Sequence, residues 1–462
     1  MTEARFDPAI LAAASAAQKR AALPEASVFV EDNAGSGKTR VLVDRVINLL
    51  LAGHKPETIL CVTYTKAAAA EMKERLFKRL GDWSVTPDED LGRQLDALLG
   101  PGRAARDLDT ARKLFAQALE TPGGLKIQTI HAFCEGLLRR FPLEAGAPPG
   151  FDTLDDAAAG KAMDTARRSV LASLSRADVA TLIEAGGPDA INTILRWARA
   201  KRHDFAETCE AAGGVEALEA RLWSVLDLPV GSDPESLKRD IMAAIPRAEV
   251  ESAAHAMCHE GAINDTKRGD ILNLALSAGT SGLAFDTYLT AFFTVKGPRV
   301  KALATGTISK PYPHILSLLE AEADRLEAAR DTIQRAAIAQ ASAVALQVTD
   351  RFTRAYSQAL EHRRALDFDD LVRLAGLLLA PENPFSGWVG YKLDGMLARA
   401  LIDEAQDTAP RQWEMIRGLT AEFLAGEGAS ELDRTLVVVG DEKQSLYSFQ
   451  GAEPARFLAE GD

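Results

Sequence analysis

Two short runs at opposite ends of a 462-residue chain restrict how it can fold more than anything between them. Near the start stands Ala34-Gly35-Ser36-Gly37-Lys38-Thr39, and far downstream Leu401-Ile402-Asp403-Glu404-Ala405-Gln406-Asp407. The first has the composition of a loop that opens a helix and points free backbone N–H groups at phosphate oxygens. There Lys38 would reach the outer phosphates of a nucleoside triphosphate, and the Thr39 hydroxyl would hold Mg2+. The second run puts two carboxylates at the end of an apolar strand, Asp403 to bind the metal and Glu404 to orient or deprotonate water. If both serve one nucleotide, residues this far apart must meet at one sheet edge. A single sheet cannot absorb so many residues between two strands, so an inserted domain is required.

The intervening pattern agrees. Residues 27–30 read as a short strand feeding the loop, and Val41 to Leu51 continues as a helix. Ile59–Thr63 reads as a second strand, followed by an Ala-rich helix through Leu80. Thr110 to Leu119 is helical, Pro122-Gly123-Gly124 breaks it, and residues 126–130 form a third strand. Strand signals return at residues 400–402 and 435–439. Such alternation predicts an α/β fold, a parallel sheet with helices on both faces. Pro148-Pro149-Gly150 marks a boundary, after which the chain is rich in Ala, Leu and Arg at helical spacing, with an interruption around Gly279 to Pro313. The expected organisation is therefore residues 1–150 and 366–462 as two parts of one nucleotide-binding domain, with 151–365 a large all-α inserted domain.

Lys and Arg total 53 against 66 Asp and Glu, a net charge of −13, so a nucleic-acid partner would have to be met by local basic surface. Arg196, Trp197, Arg199, Lys201, Arg202 and His203 make the most basic aromatic-bearing helix, either a DNA-facing surface or a solvated face. Cys61, Cys134, Cys209 and Cys258 are scattered without a CxxC pair, which suits a reducing cytoplasm. His255, Cys258 and His259 share a helix face, but without a fourth ligand nearby they read better as a partly buried face than as a metal site. Glu3 and Asp7 beside Arg5 argue against a leader peptide, and no apolar run approaches the roughly 18 residues of a membrane span.

The ordered set Ala34–Thr39, Val62–Met72, Thr129–Cys134, Leu401–Asp407 and Val438–Phe457 resembles the UvrD-like superfamily I DNA helicases. Within them, Lys66–Met72, Thr129–Cys134 followed by Arg139-Arg140-Phe141-Pro142, and Lys443–Ala452 look most like AddA, the helicase–nuclease component of a double-strand-break repair complex. The resemblance implies a RecA-like motor domain using ATP and Mg2+, 3′→5′ movement on single-stranded or duplex-end DNA, and an AddB-like partner. It implies that Gln18 reads the adenine edge, that Arg40 stacks near the adenine, and that Asp32, Asn33, Ala34, Gly35, Ser36, Gly37, Lys38 and Thr39 line the phosphates. Gln444 would be the γ-phosphate sensor. Thr63, Tyr64, Thr65, His131, Tyr447 and Phe449 would meet DNA, the last two by stacking on bases.

Departures from the family pattern carry expectations of their own. Asp32 replaces a glycine, with its carboxylate either facing the phosphates or turned outward as a loop cap. The aspartates of Leu366-Asp367-Phe368-Asp369-Asp370-Leu371 read as helix-start residues rather than a second metal site. The chain stops soon after the Val438–Phe457 run, before the second motor domain and nuclease that the resemblance would lead one to expect, so these residues alone should hydrolyse ATP poorly. The alternatives are a solo UvrD or PcrA-type repair helicase, opposed by Phe449-Gln450, and a non-motor ATP-dependent DNA-binding module.

Overall fold

Ile59, Leu60, Cys61, Val62 and Thr63 are all buried, so this strand is covered on both faces. In the computed structural model, which describes residues 8–31, 37–100, 104–394, 397–424 and 434–441, it is an inner strand of a five-stranded sheet. The strands are β1 (Val28–Glu31), β2 (Ile59–Thr63), β3 (Lys126–Thr129), β4 (Asp152–Thr153), β5 (Ala365–Leu366), β6 (Arg399–Ile402) and β7 (Thr435–Gly440). The main sheet runs β1-β7-β6-β2-β3 with every neighbour parallel, while β4 and β5 form a separate parallel pair. The chain divides into two compact units, residues 1–159 with 362–462, and residues 160–361.

In the first unit the helices are α1 (Pro8–Ala21), α2 (Lys38–Leu51), α3 (Lys66–Val85), α4 (Asp88–Leu99), α5 (Ala104–Glu120) and α6 (Ile130–Arg140). The two-residue alternation of the strands decides which helices cover which face. Ile59, Cys61, Leu401, Val437 and Val439 pack with residues of α2 to α5. Leu60, Val62, Ile402 and Val438 point the other way, onto α6 and helices that follow the second unit. Burying each such side chain contributes roughly 1.5–3 kcal/mol. A guanidinium fastens the edge of this sandwich. Arg45 on α2, fully buried, donates to the carbonyls of Ala26 (2.6 Å) and Pro24 (3.1 Å) and to Thr435 Oγ1 (3.2 Å). Asn48 donates to Ala22 O at 2.7 Å. Together they tie down the segment between α1 and β1, and burial beside Arg399 pushes the Arg45 pKa down to about 10.

The second unit is built from α7 (Asp156–Ser173), which begins just before it, α8 (Arg176–Gly186), α9 (Ala190–Ala200), α10 (Arg202–Ala212), α11 (Val215–Val225) and α12 (Pro234–Ala243). It continues through α13 (Arg247–Glu260), α14 (Ile263–Ser277), α15 (Gly282–Leu289), the short α16 (Gly306–Ser309) and the 49-residue α17 (Pro313–Glu361). At 1.5 Å per residue α17 is about 74 Å long. Fully buried Asp265 anchors the irregular stretch before α16, accepting from Thr305 N at 2.8 Å and Ala262 N at 3.0 Å, and from the Thr305 hydroxyl. Tyr288 donates to buried Glu322 at 3.0 Å, and Arg325 neutralises that carboxylate.

Two expectations change here. The basic run is not one helix: it breaks at Lys201 between α9 and α10. Arg202 turns inward over the Tyr356 ring at 5.2 Å, Arg196 pairs with Asp189 and Lys201 with Asp204, leaving Trp197 half exposed. His255 and His259 meet edge to face with ring centres 4.1 Å apart on an exposed face, while Cys258 turns to Asp270 on α14. Back in the first unit, α18 (Phe368–Leu379), α19 (Ser386–Asp394) and α20 (Pro410–Leu424) complete the order. Asp367 caps α18 reciprocally with Asp370, their side chains accepting each other's backbone N–H.

Candidate active site

The carboxyl ends of β1, β7 and β6 lie side by side, with Glu31 opposite Gly440 and Val438 opposite Ile402. Crevices at such strand ends are where open parallel sheets bind ligands. Gly37 takes φ +93°, a left-handed conformation that glycine adopts without strain, and starts α2. Lys38 and Thr39 form the first turn of that helix. Lys38 is 10% exposed, its ammonium lies 3.9 Å from the Asp441 carboxylate, and among the described residues it has no hydrogen-bond partner. Gln18 sits just beyond Gly37, where a Cβ would meet its Nε2 at 3.8 Å. Arg40 is exposed, with its guanidinium 3.7 Å from the carboxylate of Asp44 one turn along, a carboxylate that also pairs with Arg79.

Asp403 follows β6, is 6% exposed, and donates its N–H to Val62 O. Burial pushes its carboxyl up to about 6, and the Glu404 charge adds to the rise. The Glu404 N–H, which donates to Asp403 Oδ1 at 3.1 Å, and the Lys38 ammonium pull it back. Lys38 and Asp403 are thus electrostatic neighbours, brought together from opposite ends of the chain. Glu404 occupies the left-handed region at φ +53°, a conformation that costs a non-glycine residue about 1–3 kcal/mol. Asp441 and Gln406 were missed in the sequence. An acid directly after a second strand end, and a polar residue inside the Glu404–Asp407 run, were the available signals.

Residues expected to meet DNA behave differently from one another. Tyr64 is half-buried and lines a small crevice with Asp403, Ile130 and Thr408. Thr63 is 1% exposed, with its hydroxyl donating to Thr65 O at 3.0 Å. The Thr65 hydroxyl accepts from Ala68 N and caps α3, so its first duty is local. His131 stands 4.9 Å from the Phe368 ring, and burial lowers its pKa below the ordinary value, against the opposing charge of Asp367. Asp32, Asn33, Ala34, Gly35, Ser36, Gln444, Tyr447 and Phe449 lie outside the described residues.

These groups fit a magnesium nucleotide. A buried ammonium beside a glycine-started helix suits an outer phosphate, and Mg2+ characteristically takes one or two carboxylates plus phosphate oxygens. Among the described residues no group of three or more His, Cys, Asp or Glu side chains is placed to hold a metal ion. A separate cavity of about 190 Å³ lies near Leu397 and Arg434, before β6 and β7, at the opposite edge of the sheet.

Curated relatives named as the A component of an ATP-dependent helicase/nuclease include that of Desulforudis audaxviator, 28% identical over 94% of this chain and 35% of its own length. Those of Levilactobacillus brevis and Latilactobacillus sakei are 25% and 26% identical, over 94% and 93% of this chain and 34% and 48% of theirs. The chain thus spans about a third to a half of the length of these relatives. The pattern described as the UvrD/REP helicase N-terminal domain matches residues 14–462, from α1 past the last sheet strand, and the chain belongs to that family.

Proposed function

We propose that this protein is the ATP-binding part of an AddA-type helicase that moves 3′→5′ on DNA during double-strand-break repair by recombination. The observation that carries the reading is the meeting of Lys38, Asp403 and Asp441 at one sheet edge. Residues 1–150 and 366–462 make a RecA-like motor domain, and 151–365 an inserted, DNA-facing α-helical domain. Gln18 reads the adenine edge from beside Gly37, with Arg40 swinging from Asp44 to join it when nucleotide is present. Residues 32–37 cradle the phosphates. Lys38 exchanges its ion pair with Asp441 for a phosphate oxygen, and Gln444 senses the γ-phosphate. Thr39 and Asp403 would hold Mg2+, which when bound neutralises phosphate charge. Glu404 orients the attacking water and takes its proton.

Tyr64, Thr65, His131, Tyr447 and Phe449 meet single-stranded or duplex-end DNA, and Thr63 supports the loop from behind. The relatives' name makes each of them one component of a helicase/nuclease, which favours a second component of AddB type. No helix of the described residues is long and apolar enough to cross a membrane, and the scattered cysteines suit work in the cytoplasm. The test is ATP hydrolysis by the full-length protein with and without single-stranded DNA. DNA should stimulate it, and Lys38→Ala should lower the rate about 100-fold or more. Hydrolysis unchanged by Lys38→Ala would overturn the proposal.

A further inference from the structure

Gln406 follows the acidic pair by two residues and is 1% exposed, yet both ends of its amide are used. Its Nε2 donates to Glu404 Oε2 at 2.6 Å, and its Oε1 accepts from the Asp441 backbone N–H at 2.8 Å. The chemistry of the two partners leaves no choice about the bridge. A backbone N–H only donates and a carboxylate only accepts, so the group between them must do both, which a neutral carboxamide does. The bridge joins β6 to β7, and its far end is the residue whose carboxylate lies 3.9 Å from the Lys38 ammonium. Glu404 needs such a hold, since its backbone is in the left-handed region and its side chain is only half-buried.

We propose that Gln406 is a positioning residue: it aims the Glu404 carboxylate at the water and locks that aim to the strand end carrying Asp441. When Lys38 leaves Asp441 for a phosphate, the displacement of that strand end is passed through one amide to the base. The inference rests on the proposed ATPase and deepens it by naming what sets the base.

Two variants separate the halves of the bridge. Gln406→Glu keeps the shape and the acceptor for Asp441 N–H but loses the donor to Glu404, whereas Gln406→Met conserves volume and removes both. In the full-length protein with single-stranded DNA, both should lower kcat about 100-fold, the scale of a general base taken out of line. Affinity for a fluorescent ATP analogue with Mg2+ should change far less than kcat, because the two hydrogen bonds of the Gln406 amide go to Glu404 and the Asp441 backbone N–H and not to Lys38, Thr39 or Asp403. Hydrogen exchange at the Asp441 amide should remain slow in Gln406→Glu and become fast in Gln406→Met. Near-normal kcat in Gln406→Glu overturns the proposal, as does loss of nucleotide affinity in step with kcat, which would mark a merely structural role. If Gln406→Met fails to fold, kcat and affinity in the isosteric Gln406→Glu still decide. A wild-type protein that hydrolyses no ATP would sink the functional reading itself, a result distinguishable from active Gln406 variants.

Discussion

Replacing Asp403 by Asn should stabilise the nucleotide-free, metal-free protein while abolishing the proposed ATPase. Asn keeps the acceptor for the Glu404 N–H (3.1 Å in the present structure) and removes a buried negative charge. The folded-state carboxyl titrates at about 6 against an ordinary 3.8. A pKa raised on folding means that the native state binds the proton more tightly, so stability falls as pH rises from 3.8 through 6. At about 1.4 kcal/mol per pH unit the ionised form costs at most about 3 kcal/mol above that window. For a domain of this size that corresponds to roughly 6–12 °C in Tm. The assay is thermal unfolding in EDTA across pH 4 to 8, read as the Tm difference between Asp403→Asn and wild type. The difference should be near zero at the acid end, grow through the window and level off above it. A flat difference, or a variant less stable at pH 8, would refute the reasoning.

Other outcomes follow from other parts of the molecule. Gly37→Ala must adopt φ +93°, so it should cost about 1–2 kcal/mol in denaturant unfolding and weaken ATP-analogue binding. Arg45→Met strands the carbonyls of Pro24 and Ala26 and loosens the segment that holds α1, so urea unfolding should show a loss of about 3 kcal/mol. Asp265→Ala removes the acceptor for Thr305 and Ala262, and the second unit should lose about 3 kcal/mol, with protease cleavage appearing near residue 305. His131, its pKa held below the ordinary value, is neutral at pH 7 and above, so His131→Asn should leave the slope of DNA affinity between about pH 7 and 8 unchanged.

The sheet strands were legible because their signal is local. Residues 59–62 and 436–439 are continuous apolar runs, and the observed β2 and β7 match them to within a residue at each end. Asp367 likewise announced a helix start, since an acid three residues ahead of another is the pattern of reciprocal capping. What escaped was long-range or directional. The basic run around Trp197 has helical spacing throughout, but nothing local showed that Tyr356, on a helix more than a hundred residues later, would draw Arg202 inward. Asp441 and Gln406 stand inside recognisable motifs but gained their significance only when β6 and β7 were seen as neighbours.

The strand order has a consequence for how the molecule is made. Among the described strands β1 pairs only with β7, and β2, already beside β3, waits for β6 on its other side, yet the ribosome delivers the whole of residues 160–361 before either late strand. At about 5–20 residues per second, β1 and the open edge of β2 pass on the order of tens of seconds without their final neighbours. The catalytic crevice is therefore among the last features to form, and tight capture of nucleotide would report that biosynthesis had delivered its closing strands intact.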